Sequence, residues 1–341
     1  MRIAYALLAV FAPIVGGCSH DEQKATPTDM AVPVDLSTPV DLAGTVRFHF
    51  VMNNITLPDK RDDATKYLYD VDGNGTKENK LVQVIDALQL AGGGNVQPVV
   101  DQALIAGTVI QLLQLQTFDR ALMNDTSLSV AGFVGLLPDG GDPAQLYTGK
   151  ARITVDLTEE PAAHVLQGLL ASGKGDTDHL PPGAFPMHFP LEGQPPVPLT
   201  VYAAHAQFHV DPAGKTDAGP AFTLGPGASY PAMLNGGLSQ TQIHDRLIPA
   251  IANLLNSIVR KDPMGANAMT VLRNFDKDGN QMISNDEVEM NPVVSGILSP
   301  DLDLFDDKGN FAPNQDKVKD SLSFGVAFTA VGAVFDDQAS Q

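Results

Sequence analysis

Apolar and polar positions alternate with a period of two in several short runs. "TVRFHFVM" (45–52) puts Val46, Phe48, Phe50 and Met52 on one face, and "DSLSFGVAFTAVGAVF" (320–335) does the same with Leu322, Phe324, Val326 and Phe328. That period predicts strands with one buried face. Strand character recurs at 108–117, 127–137, 149–157, 185–191 and 198–210. Helical spacing is found at 78–90, 97–106, 161–171, 239–260, 266–274 and 286–298. The clearest helix is "SQTQIHDRLIPAIANLLNSIV", where Ile243, Leu247, Ala250, Ile251, Leu254 and Ile258 form one apolar stripe. Ser239 and Gln242 have capping-box spacing, and Pro249 predicts a kink or break. Residues 138–146, 172–184 and 211–220 are rich in Gly, Pro and Asp and read as exposed loops. Helices and strands do not alternate strictly, which argues against a doubly wound parallel sheet. The expected fold is α+β: a mainly antiparallel sheet, as a sandwich or open barrel, with helical insertions.

Charge narrows the function. Net charge is −19 over 341 residues. Nucleic acid is thereby disfavoured, because phosphates demand Lys and Arg, and so is a basic membrane-binding face. Trp is absent, so a glycan partner held on aromatic platforms is not favoured. The single cysteine, Cys18, cannot form an intramolecular disulfide.

Cys18 lies at the end of a leader. "MRIAYALLAVFAPIVGGCSH" has a basic Arg2 and an apolar run over 3–15, too short to span a bilayer. Val15-Gly16-Gly17-Cys18 resembles the bacterial lipobox, which implies a signal peptide over 1–17 and lipidation of Cys18. The alternative is an ordinary signal peptide with an incidental cysteine. Two or more acyl chains give a stable membrane anchor. Ser19, rather than Asp, points to the outer membrane of a two-membrane bacterium. Residues 18–44 then form a Pro/Asp-rich tether with a hexad repeat at Asp29, Asp35 and Asp41. It resembles the spacers of bacterial surface lipoproteins. One α+β domain is expected over 45–341.

Candidate chemistry centres on "NFDKDGNQMISNDEVEM" (274–290). Ca²⁺ takes six to eight oxygens at about 2.3–2.6 Å, and a twelve-residue EF-hand loop supplies them from positions 1, 3, 5, 7, 9 and 12. Those positions here hold Asp276, Asp278, Asn280, Met282 (through its carbonyl), Ser284 and Glu287. Ile283 at position 8 matches the usual apolar anchor. Residues 266–298 therefore resemble an EF-hand helix-loop-helix. Gln281 stands where the pattern has glycine, and a left-handed non-glycine residue costs about 1–2 kcal/mol. The expected site is a weak Ca²⁺ site of extracellular type; the alternative is a relic or a solvated acidic turn.

A second loop, "YDVDGNGTKENKL", repeats the spacing with Asp70, Asp72 and Asn74, then Gly75, Thr76 and Glu78. Position 12 is Leu81, so the bidentate glutamate is missing, and Asp62 or Asp63 are possible substitutes. The alternative is a simple turn opening a helix. A third run, Asn314, Asp316 and Asp320, is interrupted by Lys317 and Lys319.

The common hydrolase, metalloprotease and phosphate-loop motifs are absent from the sequence. His205 and His209, read as strand residues, stand about 13 Å apart, too far for one ion, and are expected to be surface histidines. The chain resembles bacterial EF-hand lipoproteins over its signal, tether and loop. That resemblance implies a lipid-anchored, calcium-binding envelope protein with a non-catalytic role and a protein or glycan partner. The alternative is an extracytoplasmic hydrolase or sugar-active enzyme in which calcium only supports the fold.

Overall fold

The computed structural model describes residues 44–58, 66–89, 95–138, 141–149, 151–156, 165–177, 183–216 and 219–336. The expected leader, the tether, Cys18, Asp62 and Asp63 lie outside the described residues.

The alternating runs become strands of one large, mainly antiparallel sheet. These are β1 (Val46–Thr56), β2 (Gln111–Thr117), β3 (Asn124–Leu136), β4 (Arg152–Val155), β5 (Leu166–Ala171), β6 (Lys174–Thr177), β7 (Ala184–Phe189), β8 (Val197–Thr216), β9 (Gly219–Gly225), β10 (Met233–Ser239), β11 (Ser321–Gly332) and β12 (Val334–Asp336). The pairing order runs β3-β2-β1-β11-β10-β8-β6-β5 and then returns, because β5 also pairs with β3 through Val130↔Leu166 and Ser129↔Gln167. A sandwich or an open barrel was expected; these eight antiparallel strands close into a ring. Closure leaves no free edge among them. Only β12 with β4 is a parallel pair among the described pairings.

Strand alternation gives the ring two buried faces. Phe50, Leu113, Leu115, Val130, Phe324, Val326 and Phe328 belong to the main core, together with the apolar stripes of the helices. The neighbouring Val51 and Leu112 point the other way, into a smaller core with Ile153 of β4 and Phe335 of β12.

The helices are α1 (Leu81–Leu88), α2 (Val96–Ile105), α3 (Gln240–Gln242), α4 (Ile248–Lys261), α5 (Ala266–Phe275), α6 (Asn285–Glu289) and α7 (Pro292–Ile297). The long predicted helix is a composite: Pro249 lies in the first turn of α4, and a wider π turn over Ile243–Leu247 joins it to α3. Ile243, Leu247, Ile251 and Leu254 of the predicted stripe are buried. The helix expected over 286–298 breaks at Asn291, whose side chain caps α7 ahead of Pro292. Among the described residues, no helix is long and apolar enough to cross a membrane.

Three local expectations are corrected. The helix read at 161–171 is strand β5 over its described part. Leu166, Leu169 and Leu170 mimic helical spacing, but Ser172 and Gly173 take positive φ and turn the chain into β6. The exposed loop read at 172–184 accordingly contains β6, and the one at 211–220 carries the β8–β9 hairpin.

One close approach within the ring, between β5 and β6, requires glycine. Gly168 lies between Leu128 of β3 and Thr177 of β6, and a Cβ there would strike the Asp176 carbonyl and the Thr177 main chain. Those atoms cannot yield without parting the strands. Gly168→Ala is expected to lower stability by about 2 kcal/mol, read as a fall in the urea midpoint. An unchanged midpoint would mean that β5 and β6 do not pair in this register.

Candidate metal centres

Among the described residues, two groups of carboxylates bring ligand atoms within 4.8 Å of one another: Asp276, Asp278 and Glu287, and Asp70, Asp72 and Glu78. Oxygens at calcium distance from a common centre lie at most about 5 Å apart, so this spacing suits one such ion.

The first group is carried between α5 and α6. Asp276 accepts from the main-chain N–H of Gly279 (2.8 Å) and Asn280 (3.1 Å) on Oδ1, and from that of Gln281 (2.9 Å) on Oδ2. Asp278 Oδ1 accepts from Asn280 N–H at 3.0 Å, and Asn280 Oδ1 from Met282 N–H at 2.7 Å. Gln281 has φ 63°, the left-handed turn that the loop spacing demands. Ser284 caps α6 reciprocally with Glu287. Glu287 is 8 % exposed and accepts from Lys277 N–H (2.6 Å) and Ser284 N–H (2.9 Å). Burial alone would raise its carboxyl. The hydrogen bonds from Ser284 and Lys277 outweigh burial and hold it below the usual range, so it stays ionised.

The second loop repeats three of these bonds, while the two that Asp276 Oδ1 accepts have no counterpart at Asp70. Asp70 Oδ2 accepts from Gly75 N–H (2.9 Å), Asp72 Oδ1 from Asn74 N–H (3.2 Å) and Asn74 Oδ1 from Thr76 N–H (2.7 Å). Positive φ falls at Gly73 and Gly75 here, and at Gly279 and Gln281 in the first loop. The loops diverge after position 7, where Glu78 turns inward in place of a position-12 glutamate. Its N–H donates to the Tyr69 carbonyl at 3.2 Å. Asp70 Oδ1 and Glu78 Oε2 are buried without a hydrogen-bond partner.

The neighbours of the Asp70 loop are distant in sequence. Lys319 Nζ lies 3.0 Å from Asp72 Oδ2, which also accepts from Asp303 N–H. Asn79 and Lys80 clasp β11 through the Gly325 carbonyl and Ser323. Burial, then the charge of Asp72, push the Glu78 carboxyl up to about 7, with Asp301 and Asp70 adding to the shift. The crowding is strong enough that one lysine does not offset it.

The run Asn314, Asp316 and Asp320 does not make a third group. Asp320 accepts from Phe305 N–H at 2.8 Å and from Ser321 Oγ at 2.6 Å, and Asp316 accepts from Val318 N–H at 2.8 Å. These carboxylates are committed to shaping turns.

The histidine pair does not converge, and one member is not at the surface. His205 is 1 % exposed, stacked on Tyr69 with ring centroids 3.8 Å apart. Its Nε2 lies 2.7 Å from Asp176 Oδ1, whereas His209 Nδ1 lies 3.0 Å from the Tyr230 hydroxyl.

Sequence spacing also misses Asn256 on α4. Its amide brackets Ile283: Nδ2 donates to the Ile283 carbonyl at 2.7 Å, and Oδ1 accepts from Ile283 N–H at 2.8 Å. Nothing in the local pattern of an amphipathic helix marks that role.

The raised Glu78 carboxyl fixes a pH dependence in chelator. The folded chain keeps the proton up to about pH 7, while the unfolded chain releases it near its ordinary value. The native state therefore binds more protons across that window, and stability falls as pH rises through it. Melting of the wild type between about pH 5 and about pH 8 is expected to show this loss, and Glu78→Gln to reduce it and melt higher at the alkaline end. Coincident curves would contradict the carboxylate crowding. No family model matches the chain, and the comparisons with curated proteins and solved structures give no match.

Proposed function

We propose that this chain is a calcium-binding protein of the cell envelope, anchored at the outer membrane by lipid on Cys18. Its folded domain serves a non-catalytic binding or structural role toward a protein or glycan partner. The supporting observation is the convergence of two oxygen sets, Asp276/Asp278/Glu287 and Asp70/Asp72/Glu78, on loops that share three main-chain hydrogen bonds at the same spacing. Calcium suits an all-oxygen donor set with flexible geometry better than a thiolate- or imidazole-seeking metal does. At the Asp70 loop it would take up the buried, unpartnered oxygens of Asp70 and Glu78 and offset their mutual repulsion.

The helix-loop-helix of α5 and α6 is read as an EF-hand-like unit working without a second EF-hand beside it. EF-hands usually pair, and the two main-chain bonds to Ile283 that a neighbouring strand would make come from the Asn256 side chain instead. That arrangement favours a fixed structural site over a paired sensor. The Asp70 loop is likewise tied to the ring by Asn79, Lys80 and the Tyr69–His205 stack. Calcium in either loop thus acts as a staple, stabilising the fold by mass action.

Calorimetric calcium titration of the full chain tests the reading. The wild type is expected to bind one or two ions, and Glu287→Gln to lose the site in the α5–α6 loop. Gln281→Gly, which removes the left-handed strain, is expected to tighten that site by up to about tenfold. Calcium heats unchanged by Glu287→Gln would overturn the assignment.

A further inference from the structure

The Asp70 loop has a cation of its own. Lys319 lies just ahead of β11, 247 residues along the chain from Asp72, and its Nζ is 3.0 Å from Asp72 Oδ2. Among the described residues it is the only lysine or arginine in an ion pair with any of the six candidate ligand carboxylates. Burial opposes its charge, but the hydrogen bond to Asp72 and the charges of Asp72, Glu78 and Asp303 outweigh it. The ammonium thus acts on two of the three carboxylates that would hold an ion in this loop.

The base of Lys319 is fixed, and its side chain has room to turn. Lys317 N–H donates to Asp303 Oδ2 at 2.7 Å, and Asp320 N–H donates to the Leu302 carbonyl at 2.9 Å. The Lys319 side chain is 40 % exposed, whereas that of Asp72 is fully buried. A buried carboxylate requires a counter-charge, and here the counter-charge rides on a flexible four-carbon stem. A calcium ion entering the loop meets that ammonium at Asp72. Two cations at one carboxylate repel each other strongly in a partly buried site, and the divalent ion gains from three carboxylates at once.

We infer that Lys319 is a tethered counter-ion that competes with calcium for the Asp70 loop. Its ammonium neutralises Asp72 in the calcium-free protein and swings out to solvent as the ion enters. The inference rests on the calcium reading of this loop. Because calcium has to displace the ammonium, the loop fills only at higher calcium than its bare carboxylates would need. Sodium or potassium carries no more charge than the group it would displace, so the loop selects a divalent ion. Among the described residues the Asp276 loop has no such competitor.

The test is calorimetric calcium titration of the full chain carrying Glu287→Gln, which leaves the Asp70 loop as the candidate site, with and without Lys319→Met. Methionine keeps an unbranched apolar stem and removes the charge. Lys319→Met is expected to bind calcium about tenfold more tightly than its parent. Lys319→Arg, which keeps a positive charge, is expected to stay in the parent's range. In chelator the Lys319→Met chain is expected to melt below its parent, and in saturating calcium level with it; a lysine of purely structural role would lower melting in both conditions. On the wild-type chain, reductive methylation of Lys319, read by peptide mass spectrometry, is expected to run severalfold faster in calcium than in chelator. Calcium affinity unchanged or weakened by Lys319→Met, or a methylation rate indifferent to calcium in a chain that binds it, would overturn the inference alone. No calcium heat from either the parent or Lys319→Met would overturn the calcium reading of the loop and the inference with it.

Discussion

The pairing of β3 with β5 is the constraint on which the rest of the molecule depends. It turns a ladder of antiparallel strands into a ring, and the ring removes the unpaired edges that a long open sheet would present to other chains. The strand faces that result are buried on both sides in places, as at Phe50 and Val51 of β1. Gly168 lets β5 lie against β6. Around the ring the insertions attach at defined points. The segment carrying Asp70 is clasped to β10 and β11 by Asn235, Asn79 and Lys80, and the α4–α7 helices close over the main core.

Both acidic loops use backbone N–H groups to turn carboxylates inward. Asp276 and Asp70 each gather the amide five residues on, and in doing so aim further oxygens at a common centre. The two loops differ in how they tolerate the charge. Glu287 is satisfied by hydrogen bonds from Ser284 and Lys277 and remains ionised. At Glu78, burial and the charge of Asp72 outweigh the hydrogen bond from Asn74, and the carboxyl holds its proton to about 7. On the proposed reading, a divalent cation matters more to the stability of the Asp70 loop, and the Asp276 loop is the better prepared to receive one.

Much of this was legible where the signal is local. Alternation in β1, β8 and β11 marked those strands, and the 1-3-5 spacing marked both loops, down to the left-handed turn at Gln281. Legibility ended where the cause is distant or the side chains are small. β10 reads "MLNGGLS", and its two glycines erase the alternation that would reveal a strand. Gly236 and Gly237 are there because β8 and Leu304 crowd the strand, which only the assembled sheet reveals. β5 carried helix-like leucine spacing that strand pairing overrode. Asn256 and Lys319 act across 27 and 247 residues of chain, so no local pattern reports them. His205 looked like a surface residue until Tyr69 was brought over it.

The central claim, that metal staples these loops to the ring, is tested most directly by thermal melting of the full chain in calcium and in chelator. The account predicts a melting temperature that rises by several degrees and saturates with calcium, as mass action requires of an ion bound only by the folded state. Identical melting temperatures in the two conditions would contradict it.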